Sequence, residues 1–261
     1  MVRIRNSLLA VALYLFSYGV NAFDTLPKVI KLATTNWCPY ACENLNSSQG
    51  MVYEYVQYIG EQLGTRIEIE FLPWSRAVKS VESGVYDGLL SAIKTEAPSL
   101  KFTTTPTMEY QVCFFNRMED VSKYHGIDSL KSKRLGAIAS YGYGEPIDSY
   151  IAETENTERV IKLTGSAGVS RLISLLNKKR IDLFLEDKNV LVWNIKNQSR
   201  FKRNQLKEAG CLPKTPFFIA VNPKLTWSDS FIDALNTSLK LMANKQYLNN
   251  EIKPKYLRLR H

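Results

Sequence analysis

Residues 85–116, VYDGLLSAIKTEAPSLKFTTTPTMEYQVCFFN, set Ser91, Lys94, Thr95 and Glu96 between two apolar runs. Small polar and charged side chains on a loop between buried strands are placed to hydrogen-bond a small molecule. The segment around Ser91 reads equally well as an ordinary polar strand exit. Acid–base chemistry has few carriers: the only histidines are His125 and His261, and Glu96 and Glu186 also read as solvated carboxylates. Four cysteines, Cys38, Cys42, Cys113 and Cys211, allow three pairings. The tight WCPYAC loop brings Cys38 within disulfide reach of Cys42, which leaves Cys113 for Cys211 and would join distant segments. Four buried thiols, or half of a metal site at CxxxC, are the alternatives, and two histidines speak against metal.

These residues need positioning elements. VIKLAT (29–34) reads as a strand leaving into the long loop TTNWCPYACENLNSSQG. Val52, Tyr55, Val56, Ile59 and Leu63 keep helical spacing up to Gly64, and IEIEF (67–71) alternates as a strand. Ser75, after Pro73, is a candidate cap for a helix with Ala77, Val78, Val81 and Val85 on its inner face. The order strand, helix, strand, helix, strand predicts a parallel sheet with right-handed crossovers. A second round follows: RLGAIA (134–139), the turn SYGYGE with a short helix, RVIKL (159–163), a helix over 168–178 and IDLFL (181–185). Ser75-Arg76 with YDGLL and Ser170-Arg171 with IDLFL are locally alike, which suggests two facing α/β lobes and a cleft between them. QVCFF and PFFIAV are expected side by side as a hinge, followed by a helix over 228–244.

Composition is that of an ordinary globular chain of 261 residues. MVRIRNSLLAVALYLFSYGVNA has Arg3 and Arg5, an apolar run and small residues at cleavage spacing, so 1–22 reads as a secretory signal peptide. No cysteine follows the cleavage point to suggest a lipid anchor. The expected product is a monomeric periplasmic protein starting near Phe23, in a compartment that permits disulfides and not integral to the membrane. The formal charge of +9 becomes +7 without Arg3 and Arg5. The basic residues are scattered apart from KNQSRFKRNQLK (196–207), which reads as a solvated helix face or loop, and no nucleic-acid partner is expected.

The order and spacing of LATTNWCPY, YDGLLSAIKTE, LKSKRLGAIASYGYGE and IDLFLED make nearly the whole chain resemble the amino-acid-type periplasmic solute-binding proteins, family 3, which feed ABC transporters. The resemblance implies a two-lobed α/β fold: each lobe a mostly parallel sheet flanked by helices, lobe 1 formed by 23–115 with 213–261 and lobe 2 by 116–212. It implies capture of a small polar, amine-bearing ligand for an ABC permease, without cofactor or catalysis. Trp37 and Trp74 fall where the family sandwiches its ligand, and aromatic faces attract a cationic amine. Ser91, the Ala92 backbone and Lys94 match the family's first-lobe hydrogen-bonding positions. Ser140, Tyr141, Gly142 and Tyr143 match the turn whose N–H groups hold a carboxylate. Asp187 matches the acid for the ligand ammonium, and it could equally cap the next helix. The family's carboxylate-clamping arginine falls, by ungapped counting, on Ser99; Arg76 or Lys94 is a possible substitute. Trp74 could instead be a core anchor. A dehydratase-like enzyme on the same fold, using Glu96 or Glu186, and a ligand sensor for a membrane receptor are the alternatives.

Overall fold

The computed structural model describes residues 26–43, 48–139, 141–153, 158–163, 168–197 and 205–257. Residues 1–22, expected as a leader, Ser140 and part of the basic stretch lie outside these residues. In the first sheet, β1 (Val29–Thr34) runs parallel between β2 (Arg66–Phe71) and β3 (Gly88–Ala92). Alternation assigns the faces of β1: Ile30 and Leu32 enter one core cluster with α1 (Met51–Gln62), and Ala33 enters another with α2 (Trp74–Glu82). On α1 the buried Met51, Val52, Tyr55, Val56 and Ile59 keep helical spacing. At α2, Pro73 occupies the cap position without a side-chain bond and Ser75 lies inside the first turn, so Ser75 is not the cap. Proline preorganises a helix start and has no N–H to leave unpaired.

Antiparallel β11 (Thr215–Val221) pairs with β3, with the short β4 (Lys101–Phe102) and, at its other end, with β5 (Met108–Tyr110). Gly88 faces Val221 in this register, and a Cβ there would stand 2.4 Å from the Ala220 carbonyl oxygen. Only glycine permits that approach of the two backbones.

The second sheet repeats the parallel trio. Its β7 (Leu135–Ile138) lies between β8 (Val160–Leu163) and β9 (Leu183–Asp187). The short α3 (Ile147–Ala152) follows β7, and α4 (Gly168–Asn177) precedes β9. Antiparallel β6 (Val112–Arg117) and β10 (Leu206–Cys211) complete the order β10-β6-β9-β7-β8. Both sheets are therefore mixed, a parallel trio extended by antiparallel strands. After β9 comes α5 (Lys188–Asn197), and α6 (Ser228–Lys240), α7 (Met242–Tyr247) and α8 (Lys253–Leu257) end the described chain. Leu241 leaves helical geometry and splits the helix expected over 228–244.

QVCFF and PFFIAV do not lie side by side. β6 pairs with β10 and β9 in the second sheet, whereas β11 pairs with β3, β4 and β5 in the first. One of the two partners of QVCFF is LKEAGC, whose Leu206 and Lys207 the sequence placed in a solvated segment. Cys113 stands directly opposite Cys211 in that ladder and is bonded to it, while Cys38 is bonded to Cys42. No helix among the described residues is long and apolar enough to cross a membrane.

Candidate functional site

A cavity of about 650 Å³ lies between the two sheets, within the ordinary size range of small-molecule sites. The chain reaches it at the exits of β1 and β3, at the start of α2, at the turn after β7 and at the end of β9.

Trp37, on the first wall, is set by the WCPYAC loop. Its N–H donates to the Ala41 carbonyl at 2.8 Å, and its carbonyl accepts the N–H groups of Tyr40 and Ala41 at 2.8 and 3.1 Å. The loop also caps α1: the Pro39 and Tyr40 carbonyls accept the N–H groups of Met51 and Val52 at 2.7 and 2.9 Å. Donors in a helix's first turn have no partner within the helix, so this loop and α1 fix each other. Gly50 makes the connection at φ +111°, where a Cβ would meet the Tyr40 carbonyl at 2.4 Å. The Trp37 ring rests 4.2 Å from that of Tyr40 and meets Tyr110 and Phe217 edge-on at 5.5 Å. It is thus a braced aromatic surface at the cavity.

Trp74 also lines the cavity and packs on the cluster of Ala33, Ala77 and Leu89, so it combines the core-anchor and wall positions. Ser91 and Ala92, the last residues of β3, line the same wall. The proposed cations do not. Arg76 is exposed on α2 outside the lining, and the Lys94 ammonium turns to the Phe218 ring, 5.2 Å from its centroid. Ser99 donates to Glu82 at 2.7 Å, also outside the cavity. Glu96 stands at the rim, its carboxyl raised above the usual carboxylate range by desolvation.

On the second wall, Tyr141, Gly142 and Tyr143 line the cavity, and Ser140 lies outside the described residues. The backbone donors of this turn are largely spent within the protein. Tyr141 N–H donates to the Ile138 carbonyl at 3.2 Å. Those of Tyr143 and Gly144 donate to the two carboxylate oxygens of Asp148, at 2.8 and 2.9 Å. The turn thus carries an internal carboxylate where the resemblance implied a ligand's.

Asp187 ends β9 rather than following it. Its Oδ1 accepts the N–H groups of Asn189 and Val190 at 2.9 and 3.0 Å and the Tyr40 hydroxyl at 3.1 Å. Its Oδ2 accepts the Gln111 N–H at 2.9 Å. One carboxylate therefore caps α5, holds the crossing segment before β6 and ties the WCPYAC loop to the second sheet. Burial raises its pKa, and these bonds oppose the shift.

Glu186 is the group that sequence reasoning undervalued. It is 0% exposed, and its Oε1 accepts the Asp187 N–H at 2.8 Å. Its Oε2 has no partner among the described residues, although the side chain lines the cavity. Burial, reinforced by the charge of Asp187, pushes its pKa up to about 8. Residue type alone did not separate the two adjacent acids: both line the cavity, and what distinguishes them is that the donors around Asp187 engage both of its oxygens.

The cavity therefore gathers the carboxyl groups of Glu96, Glu186 and Asp187 among aromatic rings, and its described lining includes no lysine or arginine. A second cavity of about 450 Å³, sharing Tyr110 and Asp187 with the first, is lined instead by Lys188, Lys214, Lys245 and Lys253.

No protein-family model matches the sequence, and the curated proteins contain no sequence match. Solved structures do match. A histidine kinase sensor domain with similarity to periplasmic binding proteins superposes with TM-score 0.67 at 16% identity, covering 90% of this chain and 97% of that one. An ancestral arginine-binding protein bound to arginine gives TM-score 0.66 at 16% identity, covering 89% and 99%. The second substrate-binding domain of Lactococcus lactis GlnP, in its open conformation, gives 0.61 at 22% identity, covering 88% and 96%. Such likenesses at low identity show the fold, the two-lobed α/β architecture of periplasmic binding proteins.

Proposed function

We propose that this chain, built on the periplasmic-binding-protein fold, is an extracytoplasmic binding protein that closes over a small amine-bearing molecule and presents it to a membrane partner. One observation carries the reading: a cavity of about 650 Å³ spans both sheets and combines braced aromatic walls with three carboxyl groups. Aromatic faces and carboxylates are the groups that recognise an ammonium or guanidinium. The lobes exchange, in this proposal, at Gln111 and between β10 and β11, where strands pass from one sheet to the other. Hinge bending at two adjacent crossings is a common way to enclose a ligand. Two disulfides fit an oxidising compartment.

The partner is an ABC permease or, as the sensor-domain likeness suggests, a receptor. A dehydratase acting on a carboxylate substrate is disfavoured, because Asp148 occupies the turn donors and no cation lines the described cavity. Calorimetry against amino acids, diamines and guanidino compounds, with small-angle scattering to follow closure, tests the proposal. Binding with compaction supports it; silence across the whole panel sinks it.

A further inference from the structure

We propose that the cleft selects an organic dication without a carboxylate, a diamine or guanidino-amine, with Glu186 anchoring one cationic end and Glu96 facing the other from the opposite wall. This deepens the binding reading above and rests on it. Three independent observations converge. First, Glu186 has a fully buried, unpartnered Oε2 at the cavity, whereas the adjacent Asp187 has both oxygens engaged by protein donors. An unpaired buried acceptor is costly, and a cation that bonds to it removes that cost. Second, the turn best suited to hold an anion is already filled, since Asp148 takes the N–H groups of Tyr143 and Gly144. A ligand carboxylate would have to displace it. Third, Arg76 is exposed outside the lining and Lys94 turns to Phe218, so a carboxylate entering the cavity would meet Glu96, Glu186 and Asp187 without a facing side-chain cation in the described lining. Asp187 opposes a second carboxylate there, and the protonated Glu186 could ionise only against a cation.

Glu186 is closed to water in this conformation, so a cation reaches Oε2 only after a side-chain shift at the cavity wall. Trp37 and Trp74 line the same cavity, and their faces would desolvate the methylene spacer of a diamine.

The test uses pairs that differ only in the carboxylate: agmatine against arginine, and cadaverine against lysine, titrated calorimetrically into the purified chain. Agmatine and cadaverine are expected to bind at least about tenfold more tightly than their partners, the loss expected when a charge is buried unpaired. Glu186→Gln and, separately, the rim variant Glu96→Gln are each expected to weaken agmatine by about tenfold or more. Arginine or lysine binding as tightly as the decarboxylated compound overturns this inference and leaves the binding-protein reading standing. Agmatine binding unchanged in Glu96→Gln overturns the two-ended arrangement, a result that does not depend on the folding of the buried variant.

Discussion

Replacing Glu186 by Gln should make the empty protein less sensitive to pH, and the size of the change follows from the site. Burial moves this carboxyl from its ordinary 4.5 up to about 8 in the folded chain. Between those two values the unfolded chain has released the proton while the folded chain retains it. The folded state thus binds more protons, and stability falls as pH rises. The contribution is fully present below about pH 4.5, declines through neutrality and is gone once the folded group ionises near pH 8. At about 1.36 kcal/mol per unit, the wild type loses roughly 2.5 kcal/mol between pH 5 and pH 7 from this group alone. Glutamine is nearly isosteric and does not titrate, so the variant lacks that slope. The raised pKa of Asp187 has the same sign and remains in both proteins, as do the other titrations. Urea unfolding at pH 5, 6, 7 and 8 measures the difference: the stability curves should diverge from the acid side, with Glu186→Gln the relatively more stable at pH 7. Parallel curves would refute the burial argument.

Three further outcomes follow from named contacts. Binding of agmatine at pH 7 should release up to about one proton as Glu186 ionises against the cation, read from titrations in buffers of different ionisation enthalpy; proton uptake would contradict the assignment. Asp187→Asn removes the charged cap of α5 and weakens the bonds from Tyr40 and Gln111, so unfolding in urea should show a loss of about 2–4 kcal/mol, with Tyr40→Phe costing about 1 kcal/mol. The Cys113→Ser/Cys211→Ser double variant should lose about 2–5 kcal/mol and fray β10 first, seen as faster amide exchange at 206–211, while the WCPYAC loop keeps its protection.

The parallel trios were legible because apolar runs such as VIKLAT and GLL carry their own signal, and α1 and α4 keep helical spacing over several turns. The crossing strands were not. LKEAGC is polar, carries Gly210 at φ +130° and bulges between Glu208 and Gly210; it is a strand because β6 supplies the ladder, a partner 98 residues away at the Cys113–Cys211 pair. IDLFL was placed two residues early because Ile181 and Asp182 continue the alternation, but Asp182 instead bonds the Arg134 N–H and guanidinium at 2.8 and 3.2 Å. At the site, Trp37, Trp74, Ser91, Ala92, Tyr141, Gly142, Tyr143 and Asp187 meet at one cavity. Which of their atoms remain free could not be read from residue type. Whether Asp187 or Glu186 has an unspent oxygen depends on Tyr40, Gln111 and Asn189, and whether the turn can hold an anion depends on Asp148.

The division of labour between adjacent acids bears on how this site can diverge. Asp187 holds a helix start, a crossing segment and a loop of the other lobe together, so drift at that position is penalised through folding whatever the cargo. Glu186 carries none of those links between elements, only the Asp187 N–H, so under the proposed binding role position 186 is the one that would follow the ligand. Among descendants of this chain, aspartate at 187 should persist as cargo changes, and the residue at 186 should record each change.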